Sequence, residues 1–319
     1  MRIGIAGYGN LGRALELAAR ERRDIEIAGV FSRRSEVKTY SSEVFCFDSL
    51  LRGREDIDVL VLCYGSSSDL PEYTPELTRL YNTVDTYDNH KHIDDHKARV
   101  DAVAKEHKRT SIISAGWDPG LLSLVRLYLG AFIPHCSQNT FWGRGVSQGH
   151  SEALRRIPGV IKAIQYTAPR ADAISLATLI PHTLDETDRH KRVCYIAAEK
   201  GKEDSIRSRV LSMENYFSGY ETEIHFLGSD DPIFSKSSPS HRGRIYALGK
   251  SGLYGETKHS AHFDLELGSN PDLTANITLV TSLVCKRLSD DGVYGSYTLF
   301  DIPPSLFCEV NGENVNKYL

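Results

Sequence analysis

Residues 2–13 read RIGIAGYGNLGR. The continuous β-branched and apolar run at residues 2–6 predicts a buried strand. Gly7, Gly9 and Gly12 follow as G-x-G-x-x-G. NLGRALELAARERR then continues as an amphipathic helix with Leu11, Leu15 and Ala18 on one face. The glycine pattern alone is a weak signal. Its setting, between a strand and a helix that opens straight after it, makes it a specific one. Gly7 permits the tight turn, Gly9 lets the backbone approach a pyrophosphate, and Gly12 permits close helix–strand packing. The helix N-terminus presents N–H groups and the positive end of its dipole to the phosphates. An ordinary strand–turn–helix with incidental glycines is the weaker reading.

Outward from this turn the chain alternates. IEIAGVF (25–31), DIDVLVLCYG (56–65), TVDTYD (83–88) and TSIISAG (110–116) read as strands. ELTRLYN (76–82) and HIDDHKARVDAVAKEHKR (92–109) read as helices. Such alternation predicts βαβ units and a parallel sheet of Rossmann type, a dinucleotide-binding domain over residues 1–118. After GWDPG the pattern changes. A helical LLSLVRLYLGAF (121–132) precedes strand-like IKAIQYTAP, RVCYIAAE, YETEIHFLG and GRIYALG. A run of strands without intervening helices predicts an α+β domain with one open, mostly antiparallel sheet over residues 119–269. The last helix, NPDLTANITLVTSLVCKRLSD, is too apolar to stand alone, so the segment from about 270 to 319 is expected to return to the first domain.

Length and composition bound the function. The chain has 319 residues, enough for two domains with real cores. A hydrophobic fraction of 40%, a charged fraction of 25% and a net charge of −4 describe a soluble globular protein without a basic nucleic-acid-binding face. The six cysteines, at 46, 63, 136, 194, 285 and 308, form no CxxC pair. They suit reduced cytoplasmic thiols better than disulfides or a metal site. No apolar run approaches the ~20 residues of a membrane helix, and the glycine-broken N-terminus does not read as a signal peptide.

Residues 31–34 read FSRR where such a chain usually carries an acid at the end of the second strand. An acid there would bind a ribose 2′-hydroxyl and repel a 2′-phosphate. Ser32 offers a hydroxyl, and Arg33 and Arg34 offer planar, permanently charged guanidinium groups. The stretch therefore points to NADP rather than NAD; two solvated surface arginines are the bland alternative.

Ligands of such sheets bind beyond the carboxyl ends of the strands. Three loops lie there: CYGSSSD (63–69), TYDNH (86–90) and AGWDPG (115–120). The last two place Asp88 and Asp118 at the expected nicotinamide end, where carboxylates suit an ammonium-bearing substrate or proton transfer. Either aspartate alone could equally be a turn or capping residue.

GYGNLGR, FSRR, DTYDNH, GWDPG, FWGRGVSQGHSEALRRIPGV, QYT, HKRVCYI, YFSGYETEI and NPDLTA occur in that order from residue 7 to residue 275. Together they resemble the meso-diaminopimelate dehydrogenases, and SQGHS-x-ALRRIPGV is the most specific of them. The resemblance implies an NADP-dependent, reversible oxidative deamination at the D-centre of meso-2,6-diaminopimelate. The products are L-2-amino-6-oxopimelate and ammonia, on a route to lysine and cell-wall precursors. It implies that the cofactor is lined by Tyr8, Gly9, Asn10, Leu11, Ser32, Arg33, Arg34, Cys63, Tyr64, Gly65 and Ser66. It adds Thr86, Tyr87, Asp88, Ala115, Gly116, Trp117, Asp118 and Pro119 to that lining. It implies that Asp88, Asp118, Trp142, Gln148, Gly149, Thr167, Arg192, His241 and Asn270 line the substrate, and that the enzyme is a homodimer.

Diaminopimelate carries two ammonium and two carboxylate groups at neutral pH. Arg192 can grip a carboxylate bidentately, and His241 can donate to the same or the other one. Thr167, Asn270 and the Gln148–Gly149 amides complete the hydrogen bonding, and Trp142 offers an apolar wall. Asp88 and Asp118 can hold the reacting ammonium and take its proton. Without the resemblance, Trp142 reads as ordinary core, Arg192 as a surface ion-pair partner and His241 as a solvated loop residue. The chain departs from the family pattern at His92, where an acid is usual, and in HRGR at 241–244, where a glycine pair is usual. Arg242 and Arg244 add charge near the expected substrate mouth, which bears on affinity or substrate range. The competing functions are a dihydrodipicolinate reductase or similar two-domain oxidoreductase, and a catalytically silent NADP(H) sensor.

Overall fold

The structure, a computed structural model, describes residues 1–143, 145–214, 216–235 and 241–307; the side chain of Gln148 lies outside the description. The chain divides into two compact units. One comprises Met1–Leu124 and the chain from Pro271 onward, the other Val125–Asn270.

In the first unit, β1 (Arg2–Ala6), β2 (Glu26–Ser32), β3 (Val44–Cys46), β4 (Val59–Leu62), β5 (Asn82–Asp85) and β6 (Thr110–Ile112) are interleaved with α1 (Asn10–Arg20), α2 (Asp69–Thr78) and α3 (Ile93–Glu106). The unit is completed by α9 (Asn270–Asp290), all but its first residue, and β14 (Gly295–Tyr297). The sheet order is β14-β6-β5-β4-β1-β2-β3, and every pairing is parallel. Strands buried on both faces read as unbroken apolar runs, and the VLVL of β4 shows why. Leu60 and Leu62 pack with Phe31, Leu70 and Leu77 on one face. Val61 packs with Ile5, Leu15, Ala275 and Leu279 on the other. The apolar character of α9 is thus consumed against the sheet. The chain runs from β1 to β2 on one side and later to β4 on the other, so the strand order reverses at β1, where such sheets bind ligands.

Two elements differ from expectation. α2 starts at Asp69, seven residues before the predicted helix, and includes Pro75. Pro75 has no N–H for the carbonyl of Pro71, which instead faces Arg99 Nη1 at 3.5 Å. The strand predicted at 83–88 is Asn82–Asp85, leaving Thr86–Asp88 in the loop beyond it.

In the second unit, α4 (Leu121–Phe132) enters from the first unit's sequence. There follow β7 (Ser137–Trp142), β8 (Gly145–Val146), α5 (Gln148–Arg155), β9 (Val160–Pro169), α6 (Ala171–Leu179), α7 (Glu186–Arg189), β10 (His190–Ala198), α8 (Glu203–Leu211), β11 (Glu221–Phe226), β12 (His241–Ser251) and β13 (Thr257–Leu267). The strands form two sheets, β11-β10-β9-β8 and β13-β12-β7, rather than the single one expected. All pairings are antiparallel except β10–β11. Ile196, Ile206, Val210 and Phe217 form a core between α8 and the four-stranded sheet. Phe141, Ala173 and Ala177 join α6 to the three-stranded one. Among the described residues, no helix is long and apolar enough to cross a membrane.

Candidate active site

The turn after β1 has the shape a dinucleotide needs. Gly7 lies at φ +95°, and its N–H donates to Phe31 O at 2.9 Å. A Cβ on Gly12 would collide with the carbonyl oxygen of Gly7, so the helix can sit this close to the strand only without a side chain there. Gly9 faces open space. It is the N-cap of α1 and gives the helix no side-chain cap, leaving first-turn N–H groups for a phosphate. The Tyr8 side chain is buried, and its hydroxyl bonds Glu16, so Tyr8 offers the turn its backbone.

The arginine pair beyond β2 is pre-oriented. Arg34 Nη2 donates to Tyr8 O at 2.5 Å, and its N–H donates to Ser32 Oγ at 3.0 Å. Arg33 makes a bidentate pair with Asp69 at 3.1 and 2.8 Å, and its guanidinium stacks over the rings of Tyr64 and Tyr73. The Asp69 carboxylate raises its pKa further against a smaller opposing effect of burial, so it is a fixed cation. An open, uncapped helix start beside two anchored guanidinium groups fits a pyrophosphate nucleotide with a 2′-phosphate.

Glu16 braces this region from beneath. It is fully buried in α1 and accepts from the N–H groups of Tyr40, Ser41 and Ser42 at 2.9–3.1 Å, and from Ser42 Oγ at 2.7 Å. Burial alone would raise its pKa. The Tyr8 hydroxyl and the Ser41, Ser42 and Tyr40 donors outweigh it and hold the carboxyl at about 2.

The aspartate loops lie at the ends of β5 and β6. Asp88 is exposed, and its N–H donates to Ser66 Oγ at 3.1 Å, which joins two of the three expected loops. Asp118 is half-buried in a closed turn: Gly116 N–H donates to Pro119 O at 3.1 Å, and a Cβ on Gly120 would overlap Gly116 O. Ser123 Oγ lies 3.4 Å from Asp118 Oδ1. The Cys63 thiol is pushed up to about 12 by burial, so it is neutral and no nucleophile.

In the second unit, Thr167 and Arg192 are cross-strand partners on β9 and β10. Arg192 Nη1 donates to Thr167 Oγ1 at 2.7 Å, and its guanidinium lies 3.9 Å from the Tyr220 ring centroid. The side chain is 6% exposed, Glu186 approaches at 3.7 Å, and Nε has no hydrogen-bond partner among the described residues. The next strand end is drawn in by His190: its Nε2 accepts from Trp142 N–H at 2.8 Å. Burial, aided by Arg189, lowers His190 to about 4, so it is the neutral acceptor this bond needs. Gly143, at φ +107°, follows, and a Cβ there would strike Thr167 O. Trp142, Thr167 and Arg192 are thus gathered by backbone contacts. Gly149 lies in the first turn of α5, which Ser147 caps through His150 N–H. His241 opens β12 opposite Leu267, and Asn270 opens α9.

The charge expected from Arg242 and Arg244 is compensated. Arg242 pairs bidentately with Asp264 at 2.7 and 2.6 Å, and Arg244 lies 3.3 Å from the same carboxylate. His92 is exposed and lies 3.6 Å from Asp95. The structure adds Glu16, Asp69, Asp85 and His190 to the groups that shape the two regions. Glu16 carried a signal, an acid beside the apolar face of a helix. Asp69, Asp85 and His190 carried none that separates them from turn and strand-end residues.

A parallel sheet with a glycine turn at its switch point, paired with a unit holding a buried arginine, defines a two-unit nicotinamide-nucleotide dehydrogenase. Residues 116–269 match the family model described as the diaminopimelic acid dehydrogenase C-terminal domain. The chain is 40% identical to the meso-diaminopimelate D-dehydrogenase of Acetivibrio thermocellus, over 100% of this chain and 97% of that one. It therefore belongs to the meso-diaminopimelate D-dehydrogenase family. Among solved structures it is similar to the Corynebacterium glutamicum DAP dehydrogenase in complex with DAP. There the TM-score is 0.91 and identity 36%, with 99% and 98% of the two chains covered. It is also similar to an engineered D-amino acid dehydrogenase bound to NADP+, with TM-score 0.86, identity 34% and the same coverage.

Proposed function

We propose that the protein catalyses the reversible NADP-dependent oxidative deamination of the D-centre of meso-2,6-diaminopimelate, releasing ammonia and L-2-amino-6-oxopimelate. The observation that carries this reading is Arg192: a buried, oriented guanidinium, braced by Thr167 and Tyr220, whose Nε has no partner among the described residues. Such a group suits a substrate carboxylate. Gly7, Gly9, Gly12 and the α1 N-terminus hold the pyrophosphate, and Ser32, Arg33 and Arg34 the 2′-phosphate. A bound nicotinamide would supply the hydride-acceptor chemistry that oxidises the D-configured carbon to an imine, which water would hydrolyse to the 2-oxo acid and ammonia. Asp88 and Asp118 hold the reacting ammonium and accept its proton; a positioned carboxylate typically contributes about 10²–10⁴-fold. Trp142 walls the methylene chain, and Thr167, His241, Asn270, Gln148 and Gly149 complete the polar contacts. The same reading takes the enzyme to be a cytoplasmic homodimer; light scattering on the purified protein tests the dimer.

The decisive assay follows reduced-nicotinamide absorbance at alkaline pH, with NADP+ or NAD+ and each of the meso, LL and DD isomers. Turnover with NADP+ and the meso isomer, and little otherwise, is expected. Nucleotide binding without turnover on any isomer would favour an NADP(H) sensor or an oxidoreductase with a different substrate.

A further inference from the structure

We propose that Asp85 is the positioning residue that sets both aspartate-bearing loops, with His96 and Thr74 fixing its carboxylate. The inference deepens the activity proposed above and rests on it. Asp85, His96 and Thr74 are all fully buried. Burying a carboxylate is costly unless its lone pairs are used, and here each oxygen is used twice. Oδ1 accepts from the N–H groups of Tyr87 and Ser114, both at 3.0 Å. Oδ2 accepts from Thr74 Oγ1 at 2.9 Å and lies 2.8 Å from His96 Nε2. The Asp85 carbonyl accepts from Ala115 N–H at 2.8 Å.

One residue thus grips the neighbour of Asp88 and the start of the turn that carries Asp118. Both attachments look deliberate in physical terms. Ser114 sits at φ +56°, a left-handed conformation uncommon for serine. The Tyr87 ring stacks on His96 at 4.2 Å, so the imidazole restrains the first loop as well as the carboxylate. An apolar strand-end residue would fill the same space at lower desolvation cost, but would leave the loops unconnected. Misplacing reacting groups by an ångström can cost about 10²-fold in rate.

The test combines hydrogen–deuterium exchange of the ligand-free protein with kinetics on Asp85→Asn and Thr74→Val. For Asp85→Asn, faster exchange is expected in peptides spanning 86–90 and 114–120 together. A fall in kcat of about 10²-fold should accompany it, larger than any loss of NADP+ affinity, with a larger primary deuterium isotope effect on kcat. Thr74→Val, which deletes one of the four bonds, should produce the same pattern several-fold weaker. Exchange unchanged in either loop, or a loss confined to NADP+ affinity, overturns the inference. Should Asp85→Asn not fold, Thr74→Val decides on the same two criteria. Wild-type inactivity on every isomer would remove the proposed activity, while loop exchange would still decide the role of Asp85.

Discussion

At the scale of single residues, the nucleotide region separates affinity from stability. The Arg33–Asp69 pair is exposed, and such pairs contribute little to folding. Changing Arg33 and Arg34 together to Ala should therefore cost thermal stability little beyond the Arg34–Tyr8 hydrogen bond and the Arg33 ring contacts. Charge-assisted hydrogen bonds contribute about 1.5–3 kcal/mol each, so NADP+ should bind at least about 10²-fold more weakly. NAD+ should shift by no more than about threefold, as titration calorimetry with both nucleotides would record. Equal losses for the two would contradict a 2′-phosphate role for the pair. Asp118 makes the complementary case. Asp118→Ala should lower kcat by about 10²–10⁴-fold while NADP+ still binds, and near-wild-type turnover would remove it from the reacting groups.

At the scale of elements, Gly143 sets the close approach of the end of β7 to β9. Its left-handed φ and its approach to Thr167 O both exclude a side chain. Gly143→Ala should displace Trp142 from Thr167 and raise KM for diaminopimelate about tenfold or more, at roughly 1–2 kcal/mol for the backbone change. The NADP+ Kd should stay unchanged, because the nucleotide is held by the other unit; a parallel loss of NADP+ binding would count against this. The parallel sheet was legible in the sequence because both-faces burial writes continuous apolar runs, as in β4, and because glycines punctuate the turn before α1. In the second unit the strands β9 to β12 and their mostly antiparallel pairing were legible too, but their division into two sheets was not. β7 pairs with β12 far along the chain, and SQNTFW lacks the alternation that marks a half-buried strand. α2 was half hidden, since Pro71 and Pro75 mask a helix that tertiary contacts sustain. The candidate site was legible where chemistry is exposed in short motifs, as in FSRR and GWDPG. It was silent where a buried group acts through backbone N–H groups, as Asp85 and Glu16 do.

At the scale of the whole molecule, acid should weaken the two units in different pH ranges. His150 and His190 in the second unit are both lowered to about 4, first by burial, then by Arg192 and Arg189 respectively. The unfolded chain binds these protons near pH 6.5 and the folded one only near 4. Stability is therefore complete above about 6.5 and lost as pH falls toward 4. For fully buried His190 the loss is on the order of 3 kcal/mol. Glu16 in the first unit is held at about 2. Its contribution is complete above about 4.5 and lost as pH falls toward 2. Calorimetry between pH 7 and 3 should show the second unit losing stability first. His190→Gln, which keeps an acceptor for Trp142 N–H, should flatten the upper part of that dependence. A midpoint independent of pH between 7 and 4.5 would contradict it.

The return of α9 and β14 to the first sheet also sets an order of events during synthesis. β6 cannot gain its outer partner, nor Val61 and Ile5 the part of their cover that Ala275 and Leu279 supply, until residues 271–297 have left the ribosome. By then the whole of the second unit has already emerged. The unit that begins the chain is therefore the last to be finished. Until then its nascent sheet carries an open edge and an apolar face that α1 covers only in part, the kind of surface that chaperones bind.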